Sequence, residues 1–273
     1  MKKIIAAVDF SPASKNAAYY AADLAVQINA DLLLVNVAEL PIGIGEMPGT
    51  GYVIDKMFAD AEKELRALSA ELEKHVNDKI KINTSAPIGS VAHSLHNLAK
   101  KENAFCIVIG TDSMKAAEHL LVKNHALAVA HSLTTPVLII PPQTSFKEIR
   151  SVVLGSDLRG YENISTLQVL KNWLRLFNVR LDVLNVVEGA EPTSESATCF
   201  RTLLNELSEF NPEYHFIDND KVKKGVEDYV DQNHSDLLVT MPGRRGFFNG
   251  LFHKSESKQL IQEPHVPVLS IYK

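Results

Sequence analysis

The chain repeats itself. The segment Asp31-Leu-Leu-Leu-Val-Asn-Val-Ala-Glu39 returns as Arg180-Leu-Asp-Val-Leu-Asn-Val-Val-Glu188, an offset of 149 from Asn36 to Asn185. The opening run that ends Ala-Val-Asp9 returns as Leu-Gly-Ser-Asp157, at an offset of 148. Near the far end of each half, Thr135-Pro-Val-Leu-Ile-Ile140 recurs as Val266-Pro-Val-Leu-Ser-Ile271, with Pro136 and Pro267 separated by 131. Offsets that each hold locally mean two copies of one fold. The fall from 149 to 131 removes 18 residues from the second copy after its second strand. A connecting loop or helix can shrink there without disturbing a sheet. Two domains are therefore expected, residues 1–142 and 148–273, with Pro142-Gln-Thr-Ser-Phe-Lys147 as a short polar linker that holds them close.

Within each copy, apolar runs of strand length alternate with longer stretches of helical period. Such alternation predicts parallel strands buried on both faces and joined by helical crossovers. In the first copy strands are expected at about Lys3–Val8, Leu32–Val37, Lys81–Ser85, Cys106–Ile109 and Val137–Ile140. Helices fall between them at about Ala13–Ile28, Val53–His75, Val91–Lys101 and Ala116–Ser132. Ser11 and Pro12 supply a cap and a preset first turn for the first helix. The second copy predicts strands at Ser151–Leu154, Leu181–Val187, Tyr214–Ile217, Leu237–Val239 and Val268–Ile271. The expected fold class is α/β. Each half is a flavodoxin-like or Rossmann-like domain with a five-stranded parallel sheet, order 3-2-1-4-5, and helices on both faces.

Bulk composition narrows the function classes. A chain of 273 residues with 45% apolar content can bury two ordinary cores. The formal charge of −5 offers no basic footprint for nucleic acid. The N-terminal apolar run breaks at Asp9, too soon for a signal segment or a membrane span. Two cysteines make no disulfide framework, and Cys106 lies in the apolar run Phe105-Cys-Ile-Val-Ile109. A cytoplasmic protein without membrane or nucleic-acid partners is expected.

Ligands of doubly wound sheets collect beyond the carboxyl ends of the strands, where the strand order reverses. Asp9 and Asp157, at the exit of the first strand of each copy, would project into that crevice or cap the turn that follows. Each half has a strand ending near an Asp, a second strand reading Val-Xaa-Val-Xaa-Glu, a turn after the fourth strand and a final Pro-Val-Leu strand. On these features each half resembles a universal stress protein domain, and the resemblance spans essentially the whole chain as a tandem pair. It implies a stress-response binding or regulatory protein and, in nucleotide-binding members, ATP or AMP held by Gly-x2-Gly-x9-Gly-(Ser/Thr) after strand four. Small residues there let backbone amides approach the phosphates.

Counting back from Pro136 puts Gly110, Ser113, Lys123 and Asn124 at the motif positions. Counting back from Pro267 puts Met241, Arg244, Lys254 and Ser255 there. One glycine of three survives in the first copy and none in the second, so the motif is degenerate in both. The resemblance marks Asp9, Ser11, Val37, Gly110, Ser113, Lys123 and Asn124 as ligand positions of the first half. Asp157, Arg244, Lys254 and Ser255 are those of the second. If either half takes an adenine nucleotide, the first is the better site. Lys123 and Lys254 either hold an anion through their side chains or are solvated surface residues. The segment from Gly243 to Ser255, with its cations, glycines and Phe247, Phe248 and Phe252, reads as a loop over the crevice or as an interface. The glycine-rich stretch from Pro41 to Gly51 reads as a further loop over the crevice.

No catalytic constellation is visible. Nucleophile-elbow, Cys–His and dinucleotide glycine signatures are missing. His93 and His96 share a helix face, but no nearby carboxylate or Cys completes a metal set. The leading reading is binding without efficient turnover. Its rivals are a slow ATP hydrolase, with Asp9 or Asp157 near a metal-bound phosphate, and a structural pairing module with vestigial crevices. The resemblance also implies pairing through the final strands, here as an intramolecular pseudo-dimer of the halves, and leaves room for a homodimer.

Overall fold

The structure is a computed structural model, and it describes residues 2–39, 50–111, 135–142, 144–156, 158, 164–187, 194–219, 221–241 and 265–271. The chain divides into two compact units, Met1–Phe146 and Lys147–Lys273.

In the first unit the strands are β1 (Lys2–Ala7), β2 (Ala30–Val35), β3 (Ile82–Ser85), β4 (Cys106–Gly110) and β5 (Val137–Ile140). They pair in the order β3-β2-β1-β4-β5, and every pairing is parallel. The helices are α1 (Pro12–Ile28), α2 (Thr50–His75) and α3 (Val91–Lys101). Right-handed crossovers place α1 and α2 on one face and α3 on the other.

Helix α1 shows why these residues fold so. Ser11 caps it, its hydroxyl accepting the Ser14 N–H at 3.2 Å, and Pro12 sets the first turn. Asn29 ends it in the left-handed region at φ 51°, returning its N–H to the carbonyls of Ala25 and Val26. Ala17, Ala18, Ala21, Ala22 and Ala25 face the sheet and are buried, so the helix lies close against β1 and β4. Leu24 of α1 and Leu32, Leu34 and Ile107 of the sheet are wholly buried, each contributing roughly 1.5–3 kcal/mol by burial. Cys106 belongs to this core, and burial pushes its thiol far up from its ordinary pKa.

The second unit holds β6 (Ser151–Gly155), β7 (Arg180–Val187), β8 (Glu213–Asp218), β9 (Leu237–Thr240) and β10 (Val268–Ser270), paired β8-β7-β6-β9-β10. Its described helices are α4 (Ile164–Leu174), α5 (Ser194–Glu206) and α6 (Val222–Gln232). The expected α/β class and 3-2-1-4-5 order hold in both units. The offset change falls where α2 has 26 residues and α5 has 13, with a 3₁₀ turn at Ser208–Phe210 after α5.

One boundary differs in a way that matters. The second strand, expected to run to Val37, ends at Val35. Just past its end the Asn36 N–H still donates to the Ser85 carbonyl at 3.2 Å, while the Asn36 side-chain amide donates to the Val8 carbonyl at 2.8 Å. Val37 therefore lies past the strand end. The helix expected at Ala116–Ser132 lies outside the described residues.

Candidate functional site

The first unit has a crevice at the carboxyl ends of β1, β2 and β4, where the strand order reverses. It is a shallow, open crevice with an enclosed space of about 80 Å³. Ala7, Val8, Val35, Val37, Val91 and Ile109 give it apolar walls, while Asp9, Ser14 and Asn36 add polar groups and Gly110 forms part of the floor.

The polar groups are organised by the turn between β1 and α1. Phe10 occupies the left-handed region at φ 64°, an uncommon and strained conformation for a bulky side chain. It reverses the chain so that Asp9 Oδ1 accepts from the Ser11 hydroxyl at 2.6 Å and the Ser11 N–H at 3.1 Å. The Asp9 N–H donates to Ser14 Oγ at 3.2 Å, and that hydroxyl donates to the Ser11 carbonyl at 3.1 Å. Crowding on the crevice side opposes ionisation of Asp9, although its outer surface meets solvent. The hydrogen bonds from Ser11 and Ser14 outweigh that penalty and hold the carboxyl below its ordinary value. Asp9 is thus an anion at neutral pH, able only to accept.

Gly110 has a structural reason to be glycine. A Cβ there would lie 2.4 Å from the Ala13 carbonyl oxygen and 2.7 Å from its carbon. The first turn of α1 rests directly on the end of β4, and any side chain would push it off.

The structure thus brings Asp9, Val37 and Gly110 together at one crevice, with Ser11 behind Asp9 as its donor and as the helix cap. Ser113, Lys123, Asn124, Asp157, Arg244, Lys254 and Ser255 lie outside the described residues, as do the segments 41–49 and 243–255. Asn36, Ser14, Val91 and Ile109 line the crevice although sequence reasoning did not mark them as site residues. For Asn36 a signal existed, because it is the shared Asn of the repeat.

The second unit repeats the frame. Asn185 donates to the Ser156 carbonyl at 2.7 Å as Asn36 does to that of Val8, and Leu158 sits at φ 54° where Phe10 does. The Ser156 hydroxyl accepts the Leu158 N–H at 3.0 Å. Helices α3 and α6 begin at Val91 and Val222, again 131 apart. The floor differs. The ladders pair Ala6 with Val108 in one unit and Leu154 with Val239 in the other, so the residue matching Gly110 is Met241, which is fully buried.

His93 and His96 offer no metal centre in company with other ligands among the described residues. His93 Nε2 lies 2.9 Å from the Asn97 side-chain amide instead.

The universal stress protein family model matches residues 1–141. A universal stress protein A homolog of Coxiella burnetii is 30% identical over 143 residues, covering 51% of this chain and 95% of the relative. A universal stress protein of Methanocaldococcus jannaschii is 25% identical over 142 residues, covering 51% and 81%. Among solved structures, a universal stress protein from Archaeoglobus fulgidus matches at a TM-score of 0.75 with 17% identity, covering 99% of this chain and 98% of that one. At that identity the likeness concerns the fold. The chain belongs to the universal stress protein family. No described helix is long and apolar enough to cross a membrane.

Proposed function

We propose that this is a tandem universal stress protein that binds an adenine nucleotide, ATP or AMP, in its first unit and acts by binding in a stress response. The second unit is a diverged copy whose crevice has lost that role. One observation carries the reading: the position that is Gly110 in the first unit is the buried Met241 in the second. In the first unit the walls suit a flat heteroaromatic ring, and the ionised Asp9 suits a donor such as an exocyclic amine or a ribose hydroxyl. Gly110, Ser113, Lys123 and Asn124 would form its phosphate side. Asp157, Arg244, Lys254 and Ser255 are the corresponding set of the second unit and contribute at most a weaker anion site. Pairing of the halves through β5 and β10 as a pseudo-dimer in the cytoplasm completes the proposal. Such pairing would cover two edges that otherwise invite association.

Asp9 is committed to Ser11 and to the helix start, which favours binding over hydrolysis. Calorimetry on the full chain with ATP and with AMP is the test. One nucleotide per chain is expected, weakened about tenfold by Asp9→Asn and abolished by Val37→Trp, which fills the crevice. Binding that ignores Val37→Trp would place the nucleotide elsewhere. Steady phosphate release on long incubation with ATP would replace the binding reading with the hydrolase.

A further inference from the structure

The second unit carries a polar cluster on β7 and β8 that its crevice does not use. Asp182, the third residue of β7, is 1% exposed. It pairs in the ladder with Glu213 at the start of β8, and His215 follows on the same face two residues on. His215 Nε2 lies 3.9 Å from Asp182 Oδ1 and 3.7 Å from Glu213 Oε2. Donor atoms of the three residues all lie within 4.8 Å of one another. Both Asp182 oxygens and His215 Nε2 are buried, and His215 Nε2 makes no hydrogen bond; the Asp182 carboxylate faces the Tyr229 hydroxyl, whose pKa burial and that carboxylate together push up to about 12.

The repeat supplies an internal control. Where β7 pairs Asp182 with Glu213 and Leu184 with His215, β2 pairs Leu33 with Asn83 and Val35 with Ser85. The fold is thus built without charge at these places in the first unit. A buried carboxylate at the Leu33 position is expensive unless something compensates it. Arg180 compensates in part, its Nη2 lying 3.3 Å from Asp182 Oδ2 while also donating to Ser151 Oγ at 3.1 Å. Two carboxylates facing one guanidinium still leave one formal negative charge. Direct pairing with a protonated His215 fits poorly, because separations of 3.7 and 3.9 Å exceed hydrogen-bond length.

Those separations fit a shared ion. With bonds of about 2.0–2.2 Å, one metal reaches donors up to roughly 4.2 Å apart. We propose that Asp182, Glu213 and His215 bind a divalent cation of the zinc class at the edge of the second unit's sheet. One imidazole and two carboxylates are ligands of that class. Glu213, with its side chain 69% exposed, swings the last short distance and opens the entry path from the edge strand. Arg180 holds the second oxygen of Asp182, and the Tyr229 ring, 5.0 Å from that of His215, fixes the imidazole. Outer contacts of this kind orient metal ligands.

The test uses the full chain after chelator treatment, titrated with Zn²⁺ by calorimetry and with Co²⁺ by visible absorption. One saturable site per chain is expected, with the d–d bands of a low-coordinate cobalt centre. His215→Ala and Glu213→Gln should each weaken it at least about tenfold. Asp182→Leu, which installs the first unit's residue, should remove the site while the protein stays folded. Should that variant unfold, the other two carry the test. Absence of saturable binding, or binding unchanged in His215→Ala and Glu213→Gln, overturns the proposal. So does a cluster that takes no metal but gains stability as His215 protonates, which would make it an ion-paired histidine.

Discussion

Gly110→Ala isolates the contact that seats α1 on the sheet. The added Cβ would stand 2.4 Å from the Ala13 carbonyl oxygen, 2.7 Å from its carbon and 3.1 Å from the Ser14 nitrogen. All three are backbone atoms of the first helical turn, and that turn is fixed by the Ser11 cap and by Pro12. Relief therefore requires moving the helix start, not a side chain. Overpacking of this kind costs about 1–3 kcal/mol, and the backbone obstruction argues for the upper half. The lower entropy of an unfolded chain with Ala returns about 0.4–1 kcal/mol, leaving a net loss of about 1–2.5 kcal/mol. Two other glycines calibrate it. At Gly225 a Cβ meets a side-chain methyl, Val186 Cγ1, at 2.8 Å, and at Gly155 nothing nearer than 3.7 Å. Urea unfolding followed by circular dichroism should rank Gly110→Ala as most destabilised, Gly225→Ala between, and Gly155→Ala near wild type. If Gly110→Ala matches Gly155→Ala, α1 does not rest on β4 as described.

Ser11→Ala removes both the cap to Ser14 and the 2.6 Å donor to Asp9. It should lower stability by about 1–2 kcal/mol in thermal unfolding, and a loss below measurement would show that the cap is inert. Asn185→Ala leaves the buried Ser156 carbonyl without its 2.7 Å donor and should cost about 1–3 kcal/mol. Asn36→Ala, where the side chain is only partly buried, should cost less, and the reverse order in denaturant midpoints would contradict the burial argument. The folded-state pKa of Asp9 lies below its ordinary value of 3.8. Its stabilising contribution is therefore present above that value and lost as pH falls through the folded pKa. The stability gap between wild type and Asp9→Asn should be full at neutral pH and shrink as pH falls through the lowered folded pKa, so an unchanged gap in acid would sink the assignment.

The central strands were the most legible part of this chain because they are buried on both faces and so read as continuous apolar runs. Strand Val137–Ile140 and helix Val91–Lys101 fall on the expected residues, and the other strand ends move by two residues or fewer. At β2 both ends move by two residues, and beyond its end Asn36 adds a side-chain bond to the Val8 carbonyl. Periodicity carries no information about such a side-chain choice. In the same way, Gly110 was readable as a place needing room, but not for what. Its neighbour is the Ala13 carbonyl, brought in by the packing of α1, and only three-dimensional proximity reveals it. The Asp182 cluster was hidden for a related reason. Asp182 stands on β7 and Glu213 and His215 on β8, so only the pairing of the two strands brings them together and no sequence spacing announces them.

Comparison of the two units separates what the fold requires from what each half does with it. An asparagine amide bonded to the carbonyl at the first strand's exit recurs in both, as does a left-handed residue two positions past that carbonyl. The second feature is strained in both, by Phe10 in one and Leu158 in the other. Strain kept twice at matching places, without glycine to relieve it, marks the turn as part of what shapes the end of the sheet. By contrast, Gly110 against Met241 and Leu33 against Asp182 are differences at buried positions of matching register, where a fold alone would accept the same residue in each. The first difference puts a fully buried side chain where its twin has none. The second places a carboxylate inside a core that its twin fills with a leucine. Neither is dictated by the common architecture, and each lies where the unit that carries it would differ in what it can bind.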